Sequence, residues 1–283
     1  MDYIYLQITA VLFTFLFFTR ILVSFTGKNV KIKGYDITGK PGTKCKLRCR
    51  LQTSNLLGFD IAGIEIQFTL QNEIIGSAVT DRYGVAKIEY TFADYGLFEI
   101  GLNIRQGKYA KNSGKIIAGI FNNEKPILIC DIDHTLCKTN LFYFFLNLDK
   151  RILAIPGSSL SLNRIKDKYH IIYVTHRDDA FICKTKYWLD LRGFPAGPVF
   201  FWNYGRAPFS NEKYKEAIVG NLKMQFENIV VGIGDKLGDA FAYHTNGIRA
   251  VILNRKNNPS VHPHILQAQD WEQIEQYLIK ILE

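Results

Sequence analysis

Proline is scarce in this chain, with 8 in 283 residues, and cysteine is scarcer, with 5. An odd, unpatterned set of thiols excludes a disulfide framework. Cys45 and Cys49 lie four apart in a strand-like stretch, which separates them by about 13 Å, too far for a bridge. The thiols therefore point to a reducing compartment. Acidic residues are also short, with 26 Asp and Glu against 35 Lys and Arg, for a net charge of +9. Such a surplus suits anionic partners: phospholipid surface, nucleic acid or phosphorylated substrate. It lies mostly early, with 15 Lys and Arg against 9 Asp and Glu in residues 1–120 and 20 against 17 thereafter. Apolar residues are not short. At 47% of the chain they suffice for a sizeable core, in one large domain or two smaller ones.

Residues 3–25, "YIYLQITAVLFTFLFFTRILVSF", are almost all apolar and are interrupted seriously only by Arg20. As a helix the stretch would extend about 35 Å, enough to cross a bilayer, with Arg20 near one end able to snorkel. There is no basic n-region and no A-x-A-like site before Gly27, so the segment reads as a retained anchor rather than a cleaved signal peptide. Asp2 precedes it, and Lys28, Lys31 and Lys33 follow. The positive-inside rule then puts the rest of the protein in the cytoplasm. Residues 1–27 are thus expected to be a single-pass membrane anchor.

Residues 28–122 have period two. "KCKLRCRL" sets Cys45, Leu47, Cys49 and Leu51 on one face and Lys44, Lys46, Arg48 and Arg50 on the other. "IEIQFTL", "AKIEYTF" and "FEIGLNI" repeat the alternation, with turn signals between them. The pattern predicts a small antiparallel β-sandwich with one wet face per sheet. The row of four cations reads either as a dock for anionic lipid or as a solvated strand face that discourages edge pairing. No catalytic constellation occurs here. "AVTDRYGVAKIEY" resembles the turn-plus-strand signature of bacterial Ig-like domains through Thr80, Asp81, Gly84 and Ala86.

From residue 123 to 283 the texture changes. Apolar runs at 127–130, 170–174, 198–202, 229–233 and 249–253 alternate with helical stretches near 180–192, 211–226 and 237–245. A last helix follows Asp270, a suitable N-cap. This alternation predicts an α/β domain with a parallel sheet and active residues at the carboxyl ends of its strands. Asp131 and Asp133 follow the first run, Thr175 the second, and Asp235 the fourth, with Asp239 four residues on. Two carboxylates so close repel each other unless a cation joins them.

Asp131-Ile132-Asp133-His134-Thr135, Thr175, a lysine and Gly234-Asp235 through Asp239 together resemble the four ordered motifs of the haloacid dehalogenase-like (HAD) hydrolases, over about residues 125–255. The resemblance implies a Rossmann-like fold and phosphoryl transfer. In it Asp131 is the nucleophile that forms an aspartyl-phosphate. Asp133 protonates the leaving oxygen and then activates water. Mg²⁺ is held by Asp131, the Asp133 carbonyl and Asp235, with Asp239 acting through water or orienting the ligands. Thr175 bonds the phosphoryl oxygens, and Lys215 neutralises Asp131 and the phosphate, with Lys213 as the alternative. Thr135, His176 and Arg177 are candidate substrate contacts; Arg177 could instead pair with Asp178 or Asp179.

Only 39 residues separate Thr135 from Thr175, and 39 separate Thr175 from Lys215. That leaves little chain for a cap and implies an open site suited to a substrate presented by something large. "YWLDLRGFPAGPVFF" and the stretch from Lys213 to Tyr243 resemble lipin-type and fungal actin-patch phosphatidate phosphatases, whose G-F-P-x-G-P turn is matched at Gly193 to Pro198. His134 departs from those families, which often carry Gly or Asp there. Phosphatidate at an anionic membrane surface is therefore the expected partner. "VTHRDD" also resembles acid-phosphatase-like members, which keeps soluble phosphomonoesters open. A non-catalytic lipid-sensing module would typically have lost an aspartate, and all four are present. A nucleic-acid-end phosphatase would want a stacking platform or basic cluster near the motifs, and none stands out.

Overall fold

The computed structural model describes residues 29–54, 58–105, 107–139, 144, 149–203, 210–254 and 265–283. The expected anchor at residues 1–27 lies outside them. Among the described residues no helix is long and apolar enough to cross a membrane.

Residues up to Gly34, Arg48–Ile88 and Ile100–Ile116 form one compact unit, and Tyr35–Leu47, Glu89–Glu99 and Ile117–Glu283 a second. The early strands are β1 (Val30–Tyr35), β2 (Ile37–Gly39), β3 (Lys44–Thr53), β4 (Glu65–Leu70), β5 (Glu73–Val79), β6 (Val85–Thr91), β7 (Gly96–Ile104) and β8 (Ser113–Ile120). They make a three-stranded sheet, β1-β3-β6, and a five-stranded sheet, β2-β8-β7-β4-β5. In β3 Cys45, Leu47, Cys49 and Leu51 are buried, as the alternation predicts. All five cysteines are free. β4 pairs antiparallel with β5 and β7, but β2 pairs parallel with β8. A hairpin forces antiparallel neighbours, whereas strands so far apart in sequence can meet in either direction.

The Thr80–Ala86 signature has local structural work. Asp81 Oδ1 accepts from the N–H groups of Tyr83 and Val85, and the Val85 bond leads the effects that hold its carboxyl below the ordinary range. Thr80 Oγ1 accepts from Ile64 N. In the cationic row, Arg50 forms a two-pronged ion pair with Asp60 at 2.8 Å, while Lys44 and Lys46 are exposed.

The α/β sheet contains β9 (Ile127–Cys130), β10 (His170–Asp178), β11 (Val199–Trp202), β12 (Ile229–Gly234), β13 (Arg249–Leu253) and β14 (Ile265–Ala268). Its order is β11-β10-β9-β12-β13-β14, parallel throughout. The chain starts at the centre, runs to one edge, then returns and runs to the other. The order therefore reverses between β9 and β12, and a crevice opens at such a switch point outside the strands' carboxyl ends. Helices α1 (Ser158–Ile165), α2 (Ile182–Leu191), α3 (Asn211–Gln225), α4 (Leu237–Thr245) and α5 (Trp271–Ile281) accompany it.

All four residues of β9 are buried because each sheet face has its own core. Leu128, Cys130, Tyr173 and Ile233 join Trp188 and Trp271 on one face. Ile127, Ile129, Ile172 and Val174 join Tyr214 and Val219 on the other. Strand alternation sorts them. The G-F-P-x-G-P turn begins as a helix stop: Gly193 has φ +67° and its N–H bonds Asp190 O, the left-handed ending that glycine favours.

Tyr35–Leu47 groups with the residues after Ile117 for an identifiable reason. Asp36 is buried, pairs with Lys186 of α2, and accepts from Ile117 N and Val199 N. Tyr35 Oη donates to Asp179, and Thr38 Oγ1 to Gln225.

Candidate active site

The switch point places Asp131 one residue past β9 and Asp235 one past β12. Asp131 N donates to Ile233 O at 2.9 Å, which continues the ladder and fixes Asp131 against β12. The chain then turns tightly. His134 N bonds Cys137 O, and His134 itself sits at φ +59°, a left-handed conformation that histidine adopts more readily than most residues. Trp271 Nε1 donates to Thr135 O at 2.9 Å and pins the turn from α5.

Asp131, Asp235 and Asp239 each offer an oxygen within 4.8 Å of the others. Lys215 enters this cluster from α3. Its Nζ lies 2.7 Å from Asp131 Oδ1 and 2.6 Å from Asp239 Oδ1. Lys213 is exposed, so Lys215 is the lysine that reaches the aspartate. The register follows from the Ser210 N-cap, which puts Tyr214, Lys215, Val219 and Leu222 on the buried side.

Asp239 Oδ2 also accepts from Asp235 N and Lys236 N, so both its oxygens are engaged by nitrogen donors. Its carboxylate closes on the backbone because residue 234 is glycine; a Cβ there would stand 2.5 Å from Asp239. Asp239 thus orients the cluster, leaving Asp131 and Asp235 as the carboxylates best placed to ligate.

Burial pushes the Asp131 carboxyl up to about 7, against the pull of Lys215 and with Asp239 and Asp133 adding to the rise. Asp235 is raised as well, by burial first and Asp239 second. Burial alone would lower Lys215, but Asp131 and Asp239 outweigh it and hold the ammonium above its ordinary value. Three carboxylates against one ammonium leave two negative charges when all are ionised. A divalent ion cancels that excess, and an all-oxygen set suits Mg²⁺. The residues present fit the metal.

Asp133 lies beside the cluster without joining it. Its side chain faces Arg177, whose Nη2 donates to Oδ1 at 2.8 Å and Nε to Oδ2 at 3.0 Å. Thr175 Oγ1 donates to Asp133 Oδ2 at 3.4 Å and accepts from Arg177 N. Both Asp133 side-chain oxygens are thus engaged by donors from β10. Thr135 Oγ1 donates to Asp131 Oδ2 at 3.3 Å.

Two expected substrate contacts, His176 and Arg177, lie on β10, which continues through Thr175 to Asp178. The pairing of β10 with β11 is irregular between Thr175 and Asp178, and Thr175 and Arg177 both reach Asp133. His176 packs near Trp202 and Tyr214. Arg177 is 1% exposed; its guanidinium is bonded to Asp133, not to Asp178 or Asp179, and is not open to substrate. The Asp133–Arg177 pair is not legible in the sequence because its members are 44 residues apart.

No protein-family model matches the chain, and no curated protein sequence does. Solved structures give faint likenesses. A D,D-heptose 1.7-bisphosphate phosphatase from B. bronchiseptica, complexed with magnesium and phosphate, is similar over 55% of this chain and 98% of its own, at 14% identity and TM-score 0.41. A HAD-superfamily hydrolase from Ehrlichia chaffeensis is similar over 57% of this chain and 100% of its own, at 12% identity and TM-score 0.40. Invasin, a bacterial integrin-binding protein, is similar over 34% of this chain and 19% of its own, at 16% identity and TM-score 0.26.

Proposed function

We propose that this chain is a Mg²⁺-dependent phosphomonoester hydrolase working through an aspartyl-phosphate on Asp131, with phosphatidate or another membrane-presented phosphate as substrate. One observation carries the chemistry: a buried carboxylate at the switch point shares a buried lysine with a second aspartate and has a third within ligand distance. A purely structural core has little use for that arrangement, because unpaired charges there are costly.

In the first step an oxygen of Asp131 attacks phosphorus. The ester P–O bond breaks with its electrons on the leaving oxygen, and Asp133 gives that oxygen a proton. In the second, water attacks the phosphoryl group, Asp133 takes its proton, and the bond to Asp131 breaks to release inorganic phosphate. Lys215 offsets the charge on Asp131 throughout, and Asp239 holds Lys215. Bound at Asp131, Asp235 and the Asp133 carbonyl, Mg²⁺ would supply charge neutralisation for the phosphoryl oxygens.

The membrane substrate is supported by the apolar stretch at residues 3–25, the basic surplus of the first 120 residues, the short segments between motifs and the lipin-like turn. Residues 3–25 would tether the protein with its catalytic part in the cytoplasm. The test is phosphate release from phosphatidate in mixed micelles, with and without Mg²⁺, by the full chain and by Asp131→Asn. Release that needs Mg²⁺ and vanishes in the variant is the expected result. Turnover of an aryl phosphate but not of phosphatidate would remove the lipid reading. Release unaffected by Asp131→Asn would remove the mechanism.

A further inference from the structure

Arg177 is among the largest fully buried side chains of the protein, and a buried guanidinium is costly unless its charge and donors are matched. Here they are. Nη2 and Nε form a fork on the Asp133 carboxylate, with contacts of 2.8, 3.0 and 3.2 Å. Nη1 donates to Thr185 Oγ1 of α2 at 3.1 Å, and Thr185 is itself completely buried. The Phe144 ring closes the remaining face, 3.7 Å from Cζ. The guanidinium is thus held by β10, by a helix hydroxyl and by an aromatic ring. Asp133, at the tip of a turn, is held by the guanidinium and by Thr175.

The asymmetry of exposure is informative. The Arg177 side chain is fully buried, and the Asp133 side chain is 23% exposed. One side of the pair is fixed in the core and the other meets the crevice. A pair serving stability alone could be replaced by apolar residues of similar volume at little loss. A carboxylate that must meet a reacting oxygen has a stricter need, since proton transfer requires hydrogen-bond reach and alignment. A planar fork fixes both the position and the plane of a carboxylate, which a lysine ammonium does not.

We infer that Arg177 is a positioning residue: its buried fork sets the Asp133 carboxylate for proton delivery to the leaving oxygen. This rests on the phosphatase reading above. It also replaces the role of substrate contact for Arg177, and the two differ in what they predict.

The experiment compares wild type, Arg177→Lys and Thr185→Val, each as the full chain with Mg²⁺, on a nitrophenyl phosphate and on an alkyl phosphate. The nitrophenolate leaves without a proton, while the alkoxide needs one. Positioning predicts that Arg177→Lys lowers kcat/KM, which reports the first step and not the hydrolysis common to both esters, about tenfold to a hundredfold more on the alkyl ester than on the aryl ester, a partial loss of the roughly 10²–10⁴-fold that general acid catalysis supplies. Thr185→Val, which removes only the brace, should show the same selectivity at smaller size and decides the matter if Arg177→Lys does not fold. Equal loss on both esters would overturn the inference and leave a structural pair. A rise in KM at constant kcat would overturn it in favour of substrate contact. Faster alkyl turnover would overturn it too, because the fork would then be holding Asp133 away from the reaction. Wild type inert on both esters would instead remove the phosphatase reading itself, and the inference with it.

Discussion

Replacing Lys215 with methionine takes one positive charge out of a site where Nζ stands 2.7 Å from Asp131 and 2.6 Å from Asp239. At an effective dielectric of about 20, each contact is worth about 6 kcal/mol before desolvation. Burying the ions cancels much of that, and breaking a buried pair costs about 3–5 kcal/mol net. The loss should depend on pH. Asp131 already titrates at about 7, and without Lys215 its carboxyl rises further and takes up a proton instead of remaining an unpaired ion. The full loss therefore applies only above the variant's own raised value. It shrinks by about 1.4 kcal/mol per pH unit as pH falls toward 7 and levels off below that, where Asp131 is protonated in both proteins. Mg²⁺ supplies the missing charge, so it should stabilise the variant at least as much as wild type, by about 2.7 kcal/mol at a hundredfold excess over Kd. Denaturant unfolding followed by tryptophan fluorescence reads this directly, since Trp188, Trp202 and Trp271 are all buried in the unit that carries the site. A loss that stays constant from pH 6 to 8.5, or a variant indifferent to Mg²⁺, would refute the reasoning.

Because Mg²⁺ must displace the Asp131 proton, its affinity should rise up to about tenfold per pH unit toward pH 7 and flatten above; calorimetric titrations giving one affinity from pH 5.5 to 8 would contradict this. The metal-free protein should lose stability as pH rises from about 4 to about 7. In that window the folded state still binds a proton that the unfolded chain has released, and a stability that climbed there would reverse the assignment. Asp36→Ala removes the carboxylate that pairs with Lys186 and takes the acceptor from the N–H groups of Ile117 and Val199. It should cost about 3–5 kcal/mol, and a midpoint shift worth less than 1 kcal/mol would show that Tyr35–Leu47 is not integral to the second unit.

Local signals were legible where they were periodic or capped. The runs at 127–130, 229–233 and 249–253 became β9, β12 and β13, and Asp270 caps α5 by accepting from Gln273 N. What escaped was short or atypical. β14 has four residues and no alternation, and α1 is the serine-rich "SSLSLNRI". β10 runs four residues past its apolar stretch, through the polar side chains Thr175 to Asp178. That extension turned Arg177 inward.

By itself the sequence determined the chemistry available: carboxylates after two strands, a lysine on an amphipathic helix, and glycine where Asp239 closes on the backbone. Those follow from spacing, because period and capping are local properties. Tertiary structure alone decided the partners: Lys215 between Asp131 and Asp239, Arg177 on Asp133, and Asp36 buried against α2. Each pair joins residues between 24 and 150 apart in the chain. Such pairs form only when the sheet brings its strand ends together and burial removes the competing water.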